Sequence, residues 1–415
     1  MPSQSRRQFL KRLALRSDEL SATGDKTLVC IFLRGGADTL NMFVPYADDT
    51  YYKIRPTISI PHPTSGKGKD SSIKLDDFYS LHPKLAPILP IYQEGRMAVV
   101  QAVGTDNPTG SHFETQDQME HGDAFKKTSA GGWLARYLRA RFGNNLTPLS
   151  AVSIGPMLPE SLRGAPGASA ISTIDDIRIK APCENPAVVA ETLSALYGSE
   201  IGLLSAPGRD TIKLLRRVET LRAAQYKPAE GANYPDSGFA RGLREVARLI
   251  KSDVGLEVAC VDLDGWDTHF VQGSVDGLQA GLIETLGEGL AAFDADLADR
   301  RKAVTTLIIT EFGRRTYENG SLGTDHGRGF AAIIIGDDMR GGQIIGRYPG
   351  LNEAKWVIGP AGLEVIYDYR SILAEVLTEK MGLPNTSAVF PDFKPQKIGL
   401  VNGSAGLKKT AYSAE

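Results

Sequence analysis

The chain predicts an α/β protein with a three-layer, doubly wound, mostly parallel sheet. Three observations predict it. Short apolar runs of strand length recur along the chain, bounded by Gly, Pro or charge. Amphipathic helical patterns alternate with them, as in a parallel sheet with crossover helices. Carboxylate and imidazole side chains gather where two of the runs end, which is where open α/β sheets place their ligands.

Thr27–Leu33 reads as the first buried strand, running into Gly35-Gly36-Ala37-Asp38. Residues 46–80, rich in Pro, Gly, Asp and Ser, read as a long irregular excursion. His82–Glu94 is helix-like, with Leu85, Ile88, Leu89 and Tyr92 on one face. Arg96–Val103 is a second buried strand, followed by a loop and a helix opened by Ser111. Gly132–Phe142 is helical, Ala151–Gly155 a strand, and 156–182 an extended Pro/Gly/Ser-rich stretch. Helical patterns at Pro186–Tyr197, Asp210–Tyr226 and Ser237–Ser252 form an insertion at about 185–252. A strand ending in Asp262, a helix over Gly277–Arg300, strands at 304–310 and Phe330–Ile335, and a helix at Arg370–Met381 complete the pattern. One large domain therefore spans 26–400, between an N-terminal segment, 1–25, and a C-terminal tail, 401–415.

The composition, 42% hydrophobic and 23% charged, is that of an ordinary chain with enough apolar surface for a large core. A formal net charge of -2 provides no basic field for nucleic acid. No apolar run approaches the ~20 residues needed to span a bilayer. Three cysteines, Cys30, Cys183 and Cys260, argue against a disulfide framework.

The chemistry concentrates in two stretches. Val304–Thr310 ends in Glu311, and Asp325-His326 follows after a Gly-rich segment. Upstream, Asp267-Thr268-His269 lies just past the strand ending in Asp262. Side chains two apart in an extended segment point the same way, so Asp267 and His269 can reach one cation. Glu, Asp and His together suit a hard or borderline divalent ion. Asp38 is a further candidate ligand, although Asp is also common as a turn cap. Ser111 stands at a helix N-terminus, where the dipole favours an alkoxide, but Ser111-x-x-Glu114 is equally a capping box. His112 could assist Ser111 or be an exposed loop histidine. His62, His82 and His121 read as a solvated residue, a cap and a helix-end residue. There is no His-Glu-x-x-His, which excludes the common zinc peptidase arrangement.

Taken in order, Gly35-Gly36-Ala37-Asp38, Ser111-His112-Phe113, Gly265-Trp266-Asp267-Thr268-His269, Thr310-Glu311-Phe312-Gly313-Arg314 and Gly323-Thr324-Asp325-His326-Gly327 resemble an exported bacterial family of unknown function. That family is placed in the alkaline phosphatase/sulfatase-like superfamily. The resemblance implies a sheet of alkaline phosphatase-like type and a metal-dependent hydrolase or transferase of phosphate or sulfate esters. It implies Ser111 as nucleophile, and one or two divalent ions, zinc first, with calcium or manganese as alternatives. Asp38 and Glu311 would hold one ion beside Ser111; Asp267, His269, Asp325 and His326 would hold the other. Arg34, Arg314 or Arg328 would hold the transferred anion, with Arg314 the choice carried forward. The implied substrate is an anionic small molecule or glycan ester, and the insertion could cap the site or form a homodimer surface. Ser5-Arg6-Arg7-Gln8-Phe9-Leu10-Lys11 resembles a twin-arginine export signal, implying a periplasmic or exported protein. It lacks the apolar region such a signal needs, so a cytoplasmic location stays open.

Three departures stand out. Phe312 occupies a position where relatives carry His, the Asp267–His269 spacing is shorter than usual, and Gly110 precedes Ser111 in place of Arg. They keep two alternatives open: a non-catalytic, metal-stabilised binding or envelope-assembly protein, and a metallohydrolase of amide or phosphoramidate bonds.

Overall fold

The structure is a computed structural model. It describes residues 26–403, apart from 65–69, 106, 124–128, 144–145, 178–185, 352–361 and most of 200–224. The N-terminal segment with its export-like motif, most of the tail, Cys183 and part of the insertion lie outside the described residues.

A nine-stranded sheet forms the centre. Its strands are β1 (Thr27–Arg34), β2 (Met97–Gly104), β3 (Ala151–Ile154), β4 (Ala168–Ile171), β5 (Val258–Asp264), β6 (Val304–Thr310), β7 (Phe330–Ile335), β8 (Gln343–Ile345) and β9 (Tyr367–Asp368). The spatial order is β8-β2-β7-β6-β1-β5-β3-β4, with β9 also on β2. Every pairing is parallel except those of β7, which runs antiparallel to both β2 and β6. The expected mostly parallel α/β architecture is what is observed.

The longer helices among the described residues are α1 (His112–His121), α2 (Trp133–Phe142), α3 (Pro186–Ser199), α4 (Gly238–Lys251), α5 (Leu278–Asp296) and α6 (Tyr369–Glu375). Strand alternation sorts them into two layers. From β1, Val29, Ile31 and Leu33 enter one core with Leu243 and Val246 of α4 and Ile283 and Leu286 of α5. Leu28 and Phe32 enter the other, with Trp133 and Tyr137 of α2 and Ile372 of α6. Both faces of β1 are covered, so its sequence is a continuous apolar run.

Local chemistry explains where the elements differ from expectation. The His82–Glu94 helix is a 3₁₀ segment, Pro83–Ile88, followed by one α turn, Leu89–Gln93. Pro87 and Pro90 remove the amide donors a continuous helix would need. His82 does cap it, its Nδ1 accepting from the Lys84 amide. Strand β4 lies in the stretch read as merely extended, and the short β8 and β9 carry too few residues for a periodic signal.

The parallel strands β2, β1, β5 and β6 all end on one edge of the sheet. The loops leaving that edge carry Asp38, Ser111, His112, Asp267, His269, Glu311, Asp325 and His326.

Candidate metal centre

Three imidazoles and one carboxylate converge above β1, β5 and β6. His326 Nε2 lies 2.8 Å from His112 Nε2 and 2.9 Å from His269 Nε2. Asp267 Oδ1 lies 3.2 Å from His112 Nε2, 3.0 Å from His269 Nε2 and 3.2 Å from His326 Nε2. Four donors around a tetrahedral ion at zinc–nitrogen distances would stand about 3.3 Å apart. His112, Asp267 and His326 are therefore spaced to hold a single small cation, with His269 Nε2 close to both Asp267 and His326.

The far side of each ring explains why the near side is left for a cation. His112 Nδ1 lies 2.7 Å from Glu311 Oε1, His269 Nδ1 2.9 Å from Asp325 Oδ1, and His326 Nδ1 2.6 Å from the Gly110 carbonyl. Each partner is an acceptor, so each Nδ1 carries the proton and donates it. His326 Nε2 then faces Nε2 of both His112 and His269, and all three nitrogens face Asp267 Oδ1. A bound cation turns that repulsion into attraction. Outer acceptors of this kind fix tautomer and ring orientation at metal sites.

The backbone that assembles the cluster depends on two close approaches. Gly35, at φ +120°, packs against the Trp266–Asp267 backbone, where an added Cβ would sit 2.6 Å from the Asp267 nitrogen. Gly313 meets the Gly329 carbonyl with an added Cβ only 1.9 Å away. That contact lets the chain double back after β6, with Gly327 N donating to Gly313 O and Arg315 N to Asp325 O. His326 is thereby returned beside Arg314.

Glu311 and Asp325 serve the cluster from behind the rings. Glu311 is fully buried and also accepts from the Gly35 amide and Gln116 Nε2. Burial works against its charge, but His112, Gln116 and the Gly35 amide outweigh it and hold its pKa below the usual range. Both carboxylates, read in the sequence as candidate direct ligands, thus meet the cluster through imidazole Nδ1.

Arg314 has no exposed side-chain surface. It donates to the carbonyls of Gly36, Thr324, Gly35 and Trp266 and to Asp267 Oδ1. Its donors are committed, so it holds Asp267 in place instead of presenting itself to a substrate. Partial burial raises the Asp267 pKa, but the hydrogen bond and charge of the Arg314 guanidinium outweigh it and bring the carboxyl down to about 2. Arg34 is similarly engaged, with Glu120, Asp262 and Gln116.

Asp38 is not brought into the cluster. It is buried, with Arg55 at 2.6 Å from Oδ2 and 3.1 Å from Oδ1, and it accepts from Gln272 Nε2. A guanidinium stands where a second ion beside Asp38 was expected. The structure also separates Asp38 from Glu311 in role, since Glu311 contacts His112. Ser111 precedes the candidate donor His112, is exposed, and caps α1 through Oγ, accepting from the Glu114 amide at 3.4 Å. Phe312 is buried against the cluster, its ring centroid 4.8 Å from that of His112 and 5.0 Å from that of His326. Trp266 is fully buried in the core.

Sequence reading had not placed His112 among the donors, nor found Arg55, Gln116 or the Gly110 carbonyl. His112 sits at the first position of a helix far from the other ligands in sequence, and Arg55 in the irregular excursion. Only the fold brings either to this edge.

The model of a family described as a protein of unknown function, DUF1501, matches residues 217–359. That span contains Asp267, His269, Glu311, Asp325 and His326 but not Asp38 or His112. No curated protein matches the chain. Among solved structures, the alkaline phosphatase from the Antarctic bacterium TAB5 is similar at 9% identity, over 86% of this chain and 99% of that one, with a TM-score of 0.30. The zinc complex of the C-terminal periplasmic domain of EcEptC from Escherichia coli is similar at 10% identity, over 94% of this chain and 93% of that one, with a TM-score of 0.37. The PsFucS1 sulfatase from Pseudoalteromonas sp. is similar at 10% identity, over 91% of this chain and 72% of that one, with a TM-score of 0.30. Likeness at this level assigns no role to any residue of this chain.

Proposed function

We propose that the protein is a hydrolase of phosphate or sulfate esters that works with a single divalent cation, zinc first. The observation that carries this reading is the convergence of His112 Nε2, His326 Nε2 and Asp267 Oδ1 within reach of one ion, with His269 Nε2 beside them. An imidazole-rich set with one carboxylate suits zinc better than calcium, which takes six to eight oxygen ligands. Among the described residues, no second group of three or more His, Cys, Asp or Glu meets in this way.

When bound, the ion would supply Lewis acidity toward the ester oxygens. The remaining work falls to the chain. Asp267, His112, His269 and His326 would hold the ion, and Glu311, Asp325 and the Gly110 carbonyl would keep the rings aligned. Phe312 shields one side of the cluster from water. The donors themselves are partly open, with His112 18% and His326 24% exposed, so an ester can approach from the solvent side. Ser111, one residue before His112 at the start of α1, is the nucleophile in this reading. Its Oγ would bond to phosphorus or sulfur as the ester alcohol leaves, its proton passing to the solvent it faces. Water would then release the acid and restore the hydroxyl.

A second reading is favoured by the same donor count. If His269 joins His112, Asp267 and His326, four protein donors would complete a tetrahedral shell, and closed sites of that kind are commonly structural. A metal-stabilised binding or assembly protein would show this cluster without turnover.

The two readings separate in one experiment. The zinc-loaded chain, Ser111→Ala and Asp267→Ala are assayed on an aryl phosphate, a phosphodiester and an aryl sulfate. The hydrolase reading expects turnover in the parent and a loss of at least about 100-fold in both variants. Full activity in both variants sinks it. Loss in Asp267→Ala alone removes Ser111 as nucleophile. Stoichiometric zinc with no turnover on any ester supports the binding reading.

A further inference from the structure

The large apolar side chains left exposed are not scattered. Among the described residues, all but the two on α3 lie on segments leaving the sheet edge that carries the metal centre. The two most exposed phenylalanines, Phe113 at 87% and Phe270 at 69%, each directly follow a cluster histidine, His112 and His269. Those two imidazoles both touch His326 Nε2, and the Phe270 ring lies 6.4 Å from that of His269, so both phenylalanines follow directly on residues of the cluster. Val271 and Leu322 extend the same border, at 65% and 47% exposure. Met157, after β3, and Leu278, the first residue of α5, lie on other segments leaving that edge.

The border is held in place at a cost. Val271 has φ +44° and Leu322 φ +59°, the left-handed region that a β-branched or bulky residue rarely adopts. Strain of this sort persists where surrounding bonds over-determine it and is concentrated at functional sites. Here Val271 N donates to Ser321 O and Gln272 N to Leu322 O, each at 2.9 Å. Asn319, from the same loop, donates to His269 O and to Asp325 Oδ1, the partner of the His269 ring. The loop that orients a cluster histidine is therefore the loop that presents the apolar border.

We infer that the substrate is an amphiphilic anionic ester, with its charged group at the histidine cluster and its apolar chain or ring on Phe113, Phe270, Val271 and Leu322. This rests on the ester-hydrolase reading of the cluster. Exposed apolar side chains on the residues next to a charged site are what an amphiphile requires of a surface. Neither half would recognise it alone: the cluster takes any small anion, and the border takes any greasy group.

The test is calorimetric binding to the zinc-loaded full chain, with methyl, phenyl and n-octyl phosphate and the corresponding sulfates, all below their micelle concentrations. The octyl or phenyl ester is expected to bind at least about tenfold more tightly than the methyl ester, and the better of the two identifies chain or ring. A Phe113→Ser/Phe270→Ser double variant is expected to keep one zinc and its methyl-ester affinity while losing the preference. His326→Ala is expected to bind none of the esters. Equal affinity for all esters in the parent overturns the inference, as does a preference that survives either variant. If methyl esters bind in a zinc-dependent way but no preference exists, the amphiphile falls and the ester site stands. If no ester binds in a zinc-dependent way, both fall.

Discussion

Two carboxylates at the same sheet edge have opposite fates. Asp38, after β1, is 1% exposed and paired with Arg55, which also bonds Asn41 and the carbonyls of Thr316 and Arg315. Asp267, after β5, is 47% exposed and faces three imidazoles whose lone pairs are turned inward. The first region carries its own cation within the chain. The second has Arg314 on the same oxygen and three imidazole nitrogens gathered around it. A fixed guanidinium makes a permanent joint. A cluster of imidazole nitrogens is a place where an exchangeable ion could be held.

The largest effect should come from breaking the fixed joint. Arg55→Met leaves Asp38 buried without its partner, and should lower unfolding stability by about 3–5 kcal/mol in a denaturant titration. Adding Asp38→Asn should restore part of that loss. A single-variant cost below about 1 kcal/mol would erase the distinction between the two regions.

Acid should next separate the framework from the cluster. His82 is fully buried, and burial pushes its pKa down from 6.5 to about 4. Its Nδ1 accepts from the Lys84 amide while Nε2 faces the Ser274 carbonyl, so it is neutral with the proton on Nε2. The unfolded chain takes up this proton first on acidification. The contribution is therefore complete above about pH 6.5 and lost as pH falls toward 4, amounting to roughly 3 kcal/mol. Stability measured over that window, with and without zinc, should show this loss in the parent and a shallower slope in His82→Asn, which keeps an acceptor for the cap. An unchanged slope in the variant would remove His82 as its source.

Zinc itself should bind once per chain by elemental analysis. At 100 times its dissociation constant it should raise stability by about 2.7 kcal/mol, an increment absent in His326→Ala. Two ions per chain would mean that Asp38 or Glu311 gathers a second one after all. Smallest is the outer contact: Glu311→Gln removes charge from behind His112 and should weaken zinc by about 10–100-fold in a competition titration. A variant that abolishes binding altogether would make Glu311 a direct ligand.

Much of this was legible in the chain itself. Buried strands at 27–33, 96–103 and 304–310 declare themselves because parallel strands covered on both faces need unbroken apolar runs. Asp267 and His269 could be paired from spacing, since two residues along an extended chain share a side. The helix at 82–94 was misjudged because its apolar face ignores what two prolines do to amide donors.

The division of labour in the site was not legible. Whether a carboxylate touches a cation or stands behind an imidazole depends on a few ångströms set by loops from four separate strands. The sequence determined which donor chemistries occur and that they lie at strand ends, because composition and periodicity are local properties. Tertiary structure alone decided that His112 joins His269 and His326, that Glu311 backs His112, and that Arg55 occupies Asp38. Those choices depend on contacts between residues as far apart as 276 positions, as in the Gly35–Glu311 hydrogen bond, where local patterning carries no information.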